Sequence, residues 1–121
     1  MANEISVTTT VTLANGTLVA SFAPAAFTID QTDAKVSNQV LDIGTTEENV
    51  SFGDITTGGQ LCIQNHDATN FVEVYPSDST GDAFAKLLAG EVAIIPLQSG
   101  VTVTAKADTA TCEVQFCLFS R

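Results

Sequence analysis

The chain is poor in the residues that most binding and catalytic sites use. It has no tryptophan, one tyrosine and one histidine, and its 4 Lys and Arg residues stand against 14 Asp and Glu, for a formal net charge of −10. Nucleic-acid binding requires clustered cations that displace phosphate counterions. Here the cations are few and dispersed, at Lys35, Lys86, Lys106 and Arg121. Direct binding of DNA or RNA is therefore not expected, and the scarcity of aromatic residues disfavours a sugar-stacking face.

Long apolar runs are missing as well. No segment approaches the length of about 18 apolar residues that spans a bilayer, so no membrane contact is expected. The opening residues, MANEISVTTT, have neither a basic segment nor an apolar segment. A secretory signal is therefore not expected, and synthesis in a reducing cytoplasm is the working interpretation.

The three cysteines, Cys62, Cys112 and Cys117, are odd in number and lack metal-type spacing. Cys112 and Cys117 are predicted on opposite faces of one strand, where they cannot easily bridge each other. A Cys62–Cys112 bridge requires that their strands be neighbours. Buried free thiols are favoured, since a reducing cytoplasm keeps cysteines reduced.

What the chain does contain favours strands. Hydrophobic residues make up 45% of its 121 residues and charged residues only 15%, which suits one domain with a single core. Threonine and valine are abundant and favour pleated, half-buried surfaces. Turn signals recur every eight to twelve residues, roughly. We predict an all-β fold over residues 1–121, a β-sandwich of jelly-roll-like topology.

The N-terminal segment alternates cleanly. Ile5, Val7, Val11 and Leu13 alternate with serine and threonine, and Asn15-Gly16 is a hairpin signal before a return strand from Leu18 to Phe22. A short third strand is predicted within residues 25–30. Two interpretations remain open: residues 1–13 are an ordinary edge strand of the sandwich, or they are an arm that pairs with a neighbouring subunit.

The middle of the chain predicts a hairpin. Strands over Gln60–Gln64 and Asn70–Tyr75 flank a turn-forming segment, residues 65–70. A preceding strand over 35–43 is expected to point Val36 and Val40 inward, with Leu41 or Ile43 as further inward candidates.

The C-terminal third predicts one helix and three strands. Residues 83–89 (AFAKLLA) form the best helical window, ended by Gly90. Pro96 indicates an edge strand or a bulge in the segment Val92–Leu97, and a further strand is expected over Val101–Ala107. In the last strand Cys112, Val114, Phe116 and Leu118 are predicted to face inward. Cys117 and Phe119 then face the other way, where another layer or a partner must cover them.

No chemical site follows from the sequence. His66-Asp67 is the only histidine–carboxylate pair, with no nucleophile assigned to it and too few ligands for zinc. Gly58-Gly59 lacks the Gly-Lys-Ser/Thr of a phosphate loop. The segment 78–82 (DSTGD) superficially resembles a calcium loop, but its twelfth position is Ala89 instead of glutamate; weak calcium binding by the loop stays open. We predict no catalytic residues, no metal, no cofactor and no enzyme.

Several segments together resemble a group of small virion proteins. They are Gly53-Asp54-Ile55, residues 65–72 (NHDATNFV), residues 86–91 (KLLAGE) and residues 107–114 (ADTATCEV). In this combination the chain is similar to small structural proteins of tailed bacteriophages, including capsid decoration (cement) proteins. The resemblance covers roughly the C-terminal two thirds and implies a building block of the virion.

The resemblance leads to an expected role on the capsid exterior. A decoration protein would bind the major capsid protein lattice, associate with itself as a homodimer or homotrimer, and stabilise the head through repeated small interfaces. The predicted interface residues are Ile5, Val7, Asn65, His66, Asp67, Asn70, Cys117 and Phe119. The alternatives are a tail or baseplate component, and a free β-sandwich binding module unrelated to phage.

Overall fold

The computed structural model describes residues 2–76 and 82–121, and every regular element within them is a β-strand. The predicted all-β class is confirmed. The chain divides into two units, one ending at Thr32 and one running from Asp33 to Arg121. The sandwich therefore begins at residue 33, so it is shorter than the expected span of 1–121. Residues 77–81, which hold most of the predicted calcium-loop sequence, lie outside the described residues.

Two four-stranded antiparallel sheets make up the C-terminal unit. The first sheet contains β5 (Val36–Ile43), β7 (Gly58–Asn65), β10 (Val92–Pro96) and β12 (Cys112–Ser120). The second contains β6 (Glu48–Val50), β8 (Val72–Pro76), β9 (Ala85–Leu87) and β11 (Val103–Ala107). Their spatial orders are β10-β7-β12-β5 and β6-β11-β8-β9. The hairpin predicted over residues 60–75 is therefore wrong, because β7 and β8 belong to different sheets and pair with strands from distant parts of the chain. This order of eight strands is that of a jelly roll, as the sequence predicted.

The core lies between the two sheets and consists of alternate residues from both. Its largest fully buried side chain is Phe116, and every second residue of β12 on that side is buried. The core residues are Ile43, Val50, Leu61, Ile63, Val72, Val74, Leu87, Val103, Ala105, Ala107, Cys112, Val114, Phe116 and Leu118. The predicted inward row of β12 is confirmed, and so is the edge position of β10, whose last residue is Pro96.

The predicted inward orientation of Val36 and Val40 is wrong. Ile43 is fully buried, and the two-residue period of β5 turns Val36 and Val40 to the opposite side, where they are 59% and 52% exposed. Leu41 packs against the core beside Ile43. The outer surface of the first sheet is consequently more apolar than the sequence suggested.

The predicted helix over residues 83–89 is also wrong, because this segment contains strand β9. β9 pairs with β8 in the register Val72↔Leu87, Glu73↔Lys86 and Val74↔Ala85. One or two helical turns carry a large nucleation cost. The edge of β8 offers backbone partners instead, and Leu87 then enters the core.

Cys62 and Cys112 lie on neighbouring strands, but they do not face each other. In the register of β7 and β12, Cys62 pairs with Cys117, whereas Cys112 is buried on the core side and pairs with Ile43 of β5. All three cysteines are free thiols. The placement of Cys112 and Cys117 on opposite faces is confirmed.

The N-terminal unit contains two two-stranded ribbons. β1 (Ile5–Val7) pairs with β4 (Phe27–Ile29), and β2 (Val11–Asn15) pairs with β3 (Leu18–Phe22). The predicted hairpin at Asn15-Gly16 is confirmed, with Gly16 in the left-handed region at φ 59°. The alternating segment from Ile5 to Leu13 is two strands with different partners, where a single strand was expected.

Polar contacts hold this unit together, and few of its side chains are buried. The Asn3 backbone N–H donates to Asp30 Oδ1 at 2.8 Å, and Thr28 Oγ1 donates to Asn3 Oδ1 at 2.6 Å. Ile5 is its one residue that qualifies as core, at 8% exposure. Every residue of β2 and β3 is exposed. The described part of the N-terminal unit thus has almost no core of its own.

Candidate interaction surface

The β2–β3 ribbon, which we call the hairpin, has one apolar face. In its register Val11 lies opposite Phe22 and Leu13 opposite Ala20. With Leu18, these side chains share one face, and their exposures are 65% for Val11, 44% for Leu13, 59% for Leu18 and 65% for Phe22. The other face is mixed: Thr12 lies opposite Ser21 and Ala14 opposite Val19, which is 71% exposed. A solvated ribbon with so much exposed apolar surface is typical of a segment that packs on a partner.

The second apolar surface is the side of the first sheet that faces away from the core, which we call the outer face. Three rows cross it in register, and all their members are uncharged. The rows are Val36–Phe119–Gln60–Pro96, Asn38–Cys117–Cys62–Ile94, and Val40–Gln115–Gln64–Val92. Val92 and Ile94 are exposed large hydrophobic residues, as are Val36 and Val40.

Charge is distributed unevenly around these two surfaces. No charged residue occurs between Glu4 and Asp30, so the hairpin is neutral. On the outer face the fourth row pairs Asp42 with Glu113, which closes the neutral area at one end with negative charge. In a chain of net charge −10, the hairpin and the outer face are therefore two areas that an equally acidic molecule can approach with little electrostatic opposition.

Cys62 and Cys117 form the centre of the outer face. Each is partly buried, and desolvation raises the pKa of both thiols above the usual range for cysteine. The neighbouring Cys62 raises the pKa of Cys117 further, because two thiolates side by side repel. Both groups are therefore neutral thiols at neutral pH, and they behave as small apolar residues within this face.

A chain of polar side chains crosses one part of the same face. His66 Nε2 lies 2.9 Å from Gln115 Oε1, and Gln115 Nε2 donates to Asn38 Oδ1 at 3.0 Å. The amides of Gln115 and Asn38 therefore bond to each other between neighbouring rows, and both are uncharged polar groups. His66, predicted as an interface residue, thus adjoins the outer face.

The loop that carries the other predicted interface residues is bonded to itself. The fully buried Asn65 side chain donates to the carbonyls of Asn70 and Leu87 at 2.9 and 3.1 Å, and accepts from the Asp67 N–H at 3.0 Å. Asp67 Oδ2 accepts from the backbone N–H groups of Thr69 and Asn70. These bonds lower the pKa of the Asp67 carboxyl. Asn65 therefore has a structural role, while His66, Asp67 and Asn70 stay predictions as interface residues.

The remaining predicted interface residues divide between the two units. Ile5 is buried and Val7 half-buried, both in the pairing of β1 with β4, so neither belongs to the hairpin. Cys117 and Phe119 lie on the outer face, on the side away from Phe116 and Leu118. The predicted orientation of this pair is confirmed; its contact with a partner stays a prediction.

The first residues of the sandwich are firmly anchored. The Ser120 hydroxyl hydrogen-bonds with the Asp33 carbonyl, and the Ser120 N–H donates to the Lys35 carbonyl at 3.0 Å. Lys35 Nζ forms ion pairs with Asp33 and Asp54 at 3.4 and 3.3 Å, which raise the pKa of this lysine. The chain therefore leaves the sandwich at a fixed point.

An open cleft of about 460 Å³ lies at one end of the sandwich. The loop after β6 and the loop after β10 form its walls, with Phe52, Ile55, Leu97 and Val101 as the larger apolar side chains. Its lining contains no acid, base, histidine or cysteine. The cleft can hold an apolar group, but it lacks the means for proton transfer or nucleophilic attack.

Metal-type ligands do not converge within residues 2–76 and 82–121, where no group of three or more His, Cys, Asp or Glu side chains could hold an ion. That part of the chain also has no helix long and apolar enough to cross a membrane.

Sequence reasoning missed Val36, Val40, Val92 and Ile94 as surface candidates. It predicted the return strand from Leu18 to Phe22 but not the exposed apolar surface that Leu18 and Phe22 form there. A signal for the first pair was present, since counting back by twos from Ile43 places Leu41 inward and Val40 outward. Recognising the neighbouring Val92 and Ile94 required the strand order, which depends on contacts between distant segments.

No family model matches the chain, and no curated protein matches it. Among solved structures the chain is similar to a protein described under the words "Bacillus endospore appendages form a novel family of disulfide-linked pili". The two are 16% identical, the match covers 76% of this chain and 94% of the other, and the TM-score is 0.40. A likeness at this level carries no argument about fold or function.

Proposed function

We propose that this chain is a capsid decoration protein of a tailed bacteriophage, which binds the outside of the major capsid protein lattice and stabilises the head. The observation that carries the proposal is the exposed apolar hairpin of the N-terminal unit. Leu13, Leu18 and Phe22 are 44%, 59% and 65% exposed. Such a surface is explained by contact between subunits.

The sandwich supports a mechanical role. Its interior is filled by apolar side chains of both sheets, and its cleft lacks groups for acid–base chemistry. Rigid subunits that share repeated interfaces can hold capsomers together against internal pressure without any active site. The similarity of residues 65–72 and 107–114 to phage virion proteins supports a phage virion over other assemblies.

Charge supports the position on the outside of the head. A net charge of −10 disfavours a place beside packaged DNA, which is itself densely negative. The partners in this proposal are the major capsid protein and further copies of this chain, as a homodimer or homotrimer. The protein is made in the host cytoplasm and joins the exterior of the capsid.

Adding the protein back to particles tests the proposal. Phage heads that lack the protein are mixed with the purified full chain or with a form that lacks residues 1–13, and bound protein is measured after sedimentation. The full chain is expected to bind at a saturable level. The truncated form is expected to bind less, because it has lost β1 and most of β2. Equal occupancy would contradict a role for this segment in attachment, and no binding of the full chain would contradict the function.

A further inference from the structure

We propose that the hairpin of one copy packs on the outer face of a second copy. This inference rests on the proposed function in that it names the partner of the hairpin, although its test needs no phage particle. In a single chain both surfaces are exposed, with Phe22 at 65% and Val40 at 52%. Exposed apolar surfaces of this kind are typical of sites that a partner covers.

The dimensions of the two surfaces agree. The hairpin has three side-chain rows, from Val11 opposite Phe22 to Asn15 opposite Leu18, on strands of five residues. The neutral part of the outer face also has three rows, and it spans the five residues from Val36 to Val40. A five-residue strand is about 17 Å long. One ribbon can therefore lie along the neutral area without reaching Asp42 or Glu113.

The chemistry of the two surfaces also agrees. Sheets pack face to face through apolar side chains at a spacing of about 10 Å, and the apolar face of the hairpin would meet Val36, Val40 and Ile94 in this way. The polar groups on the outer face pair among themselves, as in the contact of Gln115 with Asn38. This pair can therefore be covered without losing its hydrogen bond, whereas the buried Oε1 of Gln60, in the first row, has no hydrogen-bond partner among the described residues.

Charge favours a second copy as the occupant. Two molecules of net charge −10 repel, and contact is least opposed where both surfaces are neutral. The hairpin and the outer face meet this condition. A basic partner would gain nothing from the hairpin or from the three neutral rows of the outer face, because neither contains an acid. The contact should therefore strengthen with added salt, which screens the repulsion, whereas an acid–base contact would weaken.

Two charge substitutions and two matched controls test the contact in the full-length protein. Leu13→Asp places a carboxylate on the apolar face of the hairpin, and Thr12→Asp places the same charge on its other face. Val40→Asp does the same for the outer face, with Asn49→Asp on the exposed surface of β6 as its control. All four positions are exposed in the chain, so the variants should fold, and circular dichroism checks this.

Analytical ultracentrifugation supplies the measurement, in buffers of low and high salt. The wild-type protein and both controls are expected to self-associate, more tightly at high salt, and Leu13→Asp and Val40→Asp to weaken association at least 100-fold. An equimolar mixture of these two variants should recover dimers, because one hairpin and one outer face in each pair remain intact. Recovery on mixing separates this contact from general damage.

The thiols of Cys62 and Cys117 report directly on the outer face. Their alkylation by a maleimide should be at least tenfold slower in the wild-type oligomer than in the Leu13→Asp monomer at equal concentration. Three results would overturn the inference. They are a wild-type protein that stays monomeric at high salt, association that tolerates Val40→Asp, and a monomer whose thiols are protected by its own hairpin. Absence of the protein from phage particles would instead contradict only the proposed function.

Discussion

Cys62 and Cys117 lie directly opposite each other on the antiparallel strands β7 and β12. Directly opposed residues in such a pair have Cα atoms about 4.5–5.5 Å apart, within the range of about 4.4–6.8 Å that a disulfide requires. The third thiol, Cys112, is buried on the other side of β12. The chain therefore holds one cysteine pair that can bridge and one cysteine that cannot join it.

Mild oxidation with diamide should link Cys62 to Cys117 within one chain. The two thiols lose two protons and two electrons to diamide, which is reduced to the hydrazine, and the mass of the protein falls by about two hydrogens. Peptide mapping should find this bond and a free Cys112. A bond from Cys62 to Cys112 would contradict the register of the two strands, and Cys117→Ser is the control that should abolish the bridge.

The same pair should react slowly with alkylating agents. Burial raises the pKa of both thiols, and the thiolate is the reactive form. At any pH below the raised pKa, the folded protein therefore holds a smaller thiolate fraction than the unfolded chain, and the rate should rise until the pH passes that pKa. Alkylation rates of the folded protein and of the chain unfolded in urea, measured across roughly pH 7–10, check this prediction. Equal profiles in both states would contradict it.

Asn65 should be a major determinant of stability. Asn65→Ala removes three hydrogen bonds to the buried backbone of the loop and of β9. A buried polar group left unpaired costs about 1–3 kcal/mol, so the free energy of unfolding should fall by about 3 kcal/mol. The exposed Asn49 provides the control, since Asn49→Ala should have little effect. Chemical denaturation of both variants measures the difference, and similar values would contradict the structural role of Asn65.

Two adjacent glycines in β7 should respond differently to alanine. A Cβ at Gly59 would lie 2.6 Å from the Phe119 carbonyl oxygen, whereas the nearest atom to a Cβ at Gly58 is in the Leu97 side chain at 3.4 Å. Overpacking against backbone costs about 1–3 kcal/mol, so Gly59→Ala should lower the melting temperature. Gly58→Ala should leave it nearly unchanged. Thermal unfolding of the pair tests this, and equal melting temperatures would contradict the close approach of the Phe119 carbonyl to Gly59.

Local patterns identified much of the sandwich. Alternation placed Cys112, Val114, Phe116 and Leu118 in the core, and Asn15-Gly16 and Pro96 marked a turn and an edge strand. The helix predicted over residues 83–89 was wrong because helix propensity is a weak signal over two turns. Pairing with the neighbouring strand β8 makes this segment a strand. Val36 and Val40 were predicted to be buried because they are apolar. The two-residue period of the strand, counted back from the buried Ile43, places both on the opposite side.

Only part of the candidate surface could be predicted from the sequence. Cys117 and Phe119 were found because they alternate with buried residues on one strand. Their neighbours on the outer face, Cys62 and Ile94, come from other strands, so only the strand order brings them together. Likewise, the division at residue 32 follows from the way contacts cluster within each unit, which no local pattern expresses.

The number of copies per particle tests the central claim most directly. Purified phage particles are denatured, and this protein and the major capsid protein are quantified by mass spectrometry with labelled peptide standards. The account predicts a ratio near one or another simple fraction set by the capsid lattice. A few copies per particle would place the protein in the tail or at the portal. Its absence from particles would contradict a role in the virion altogether.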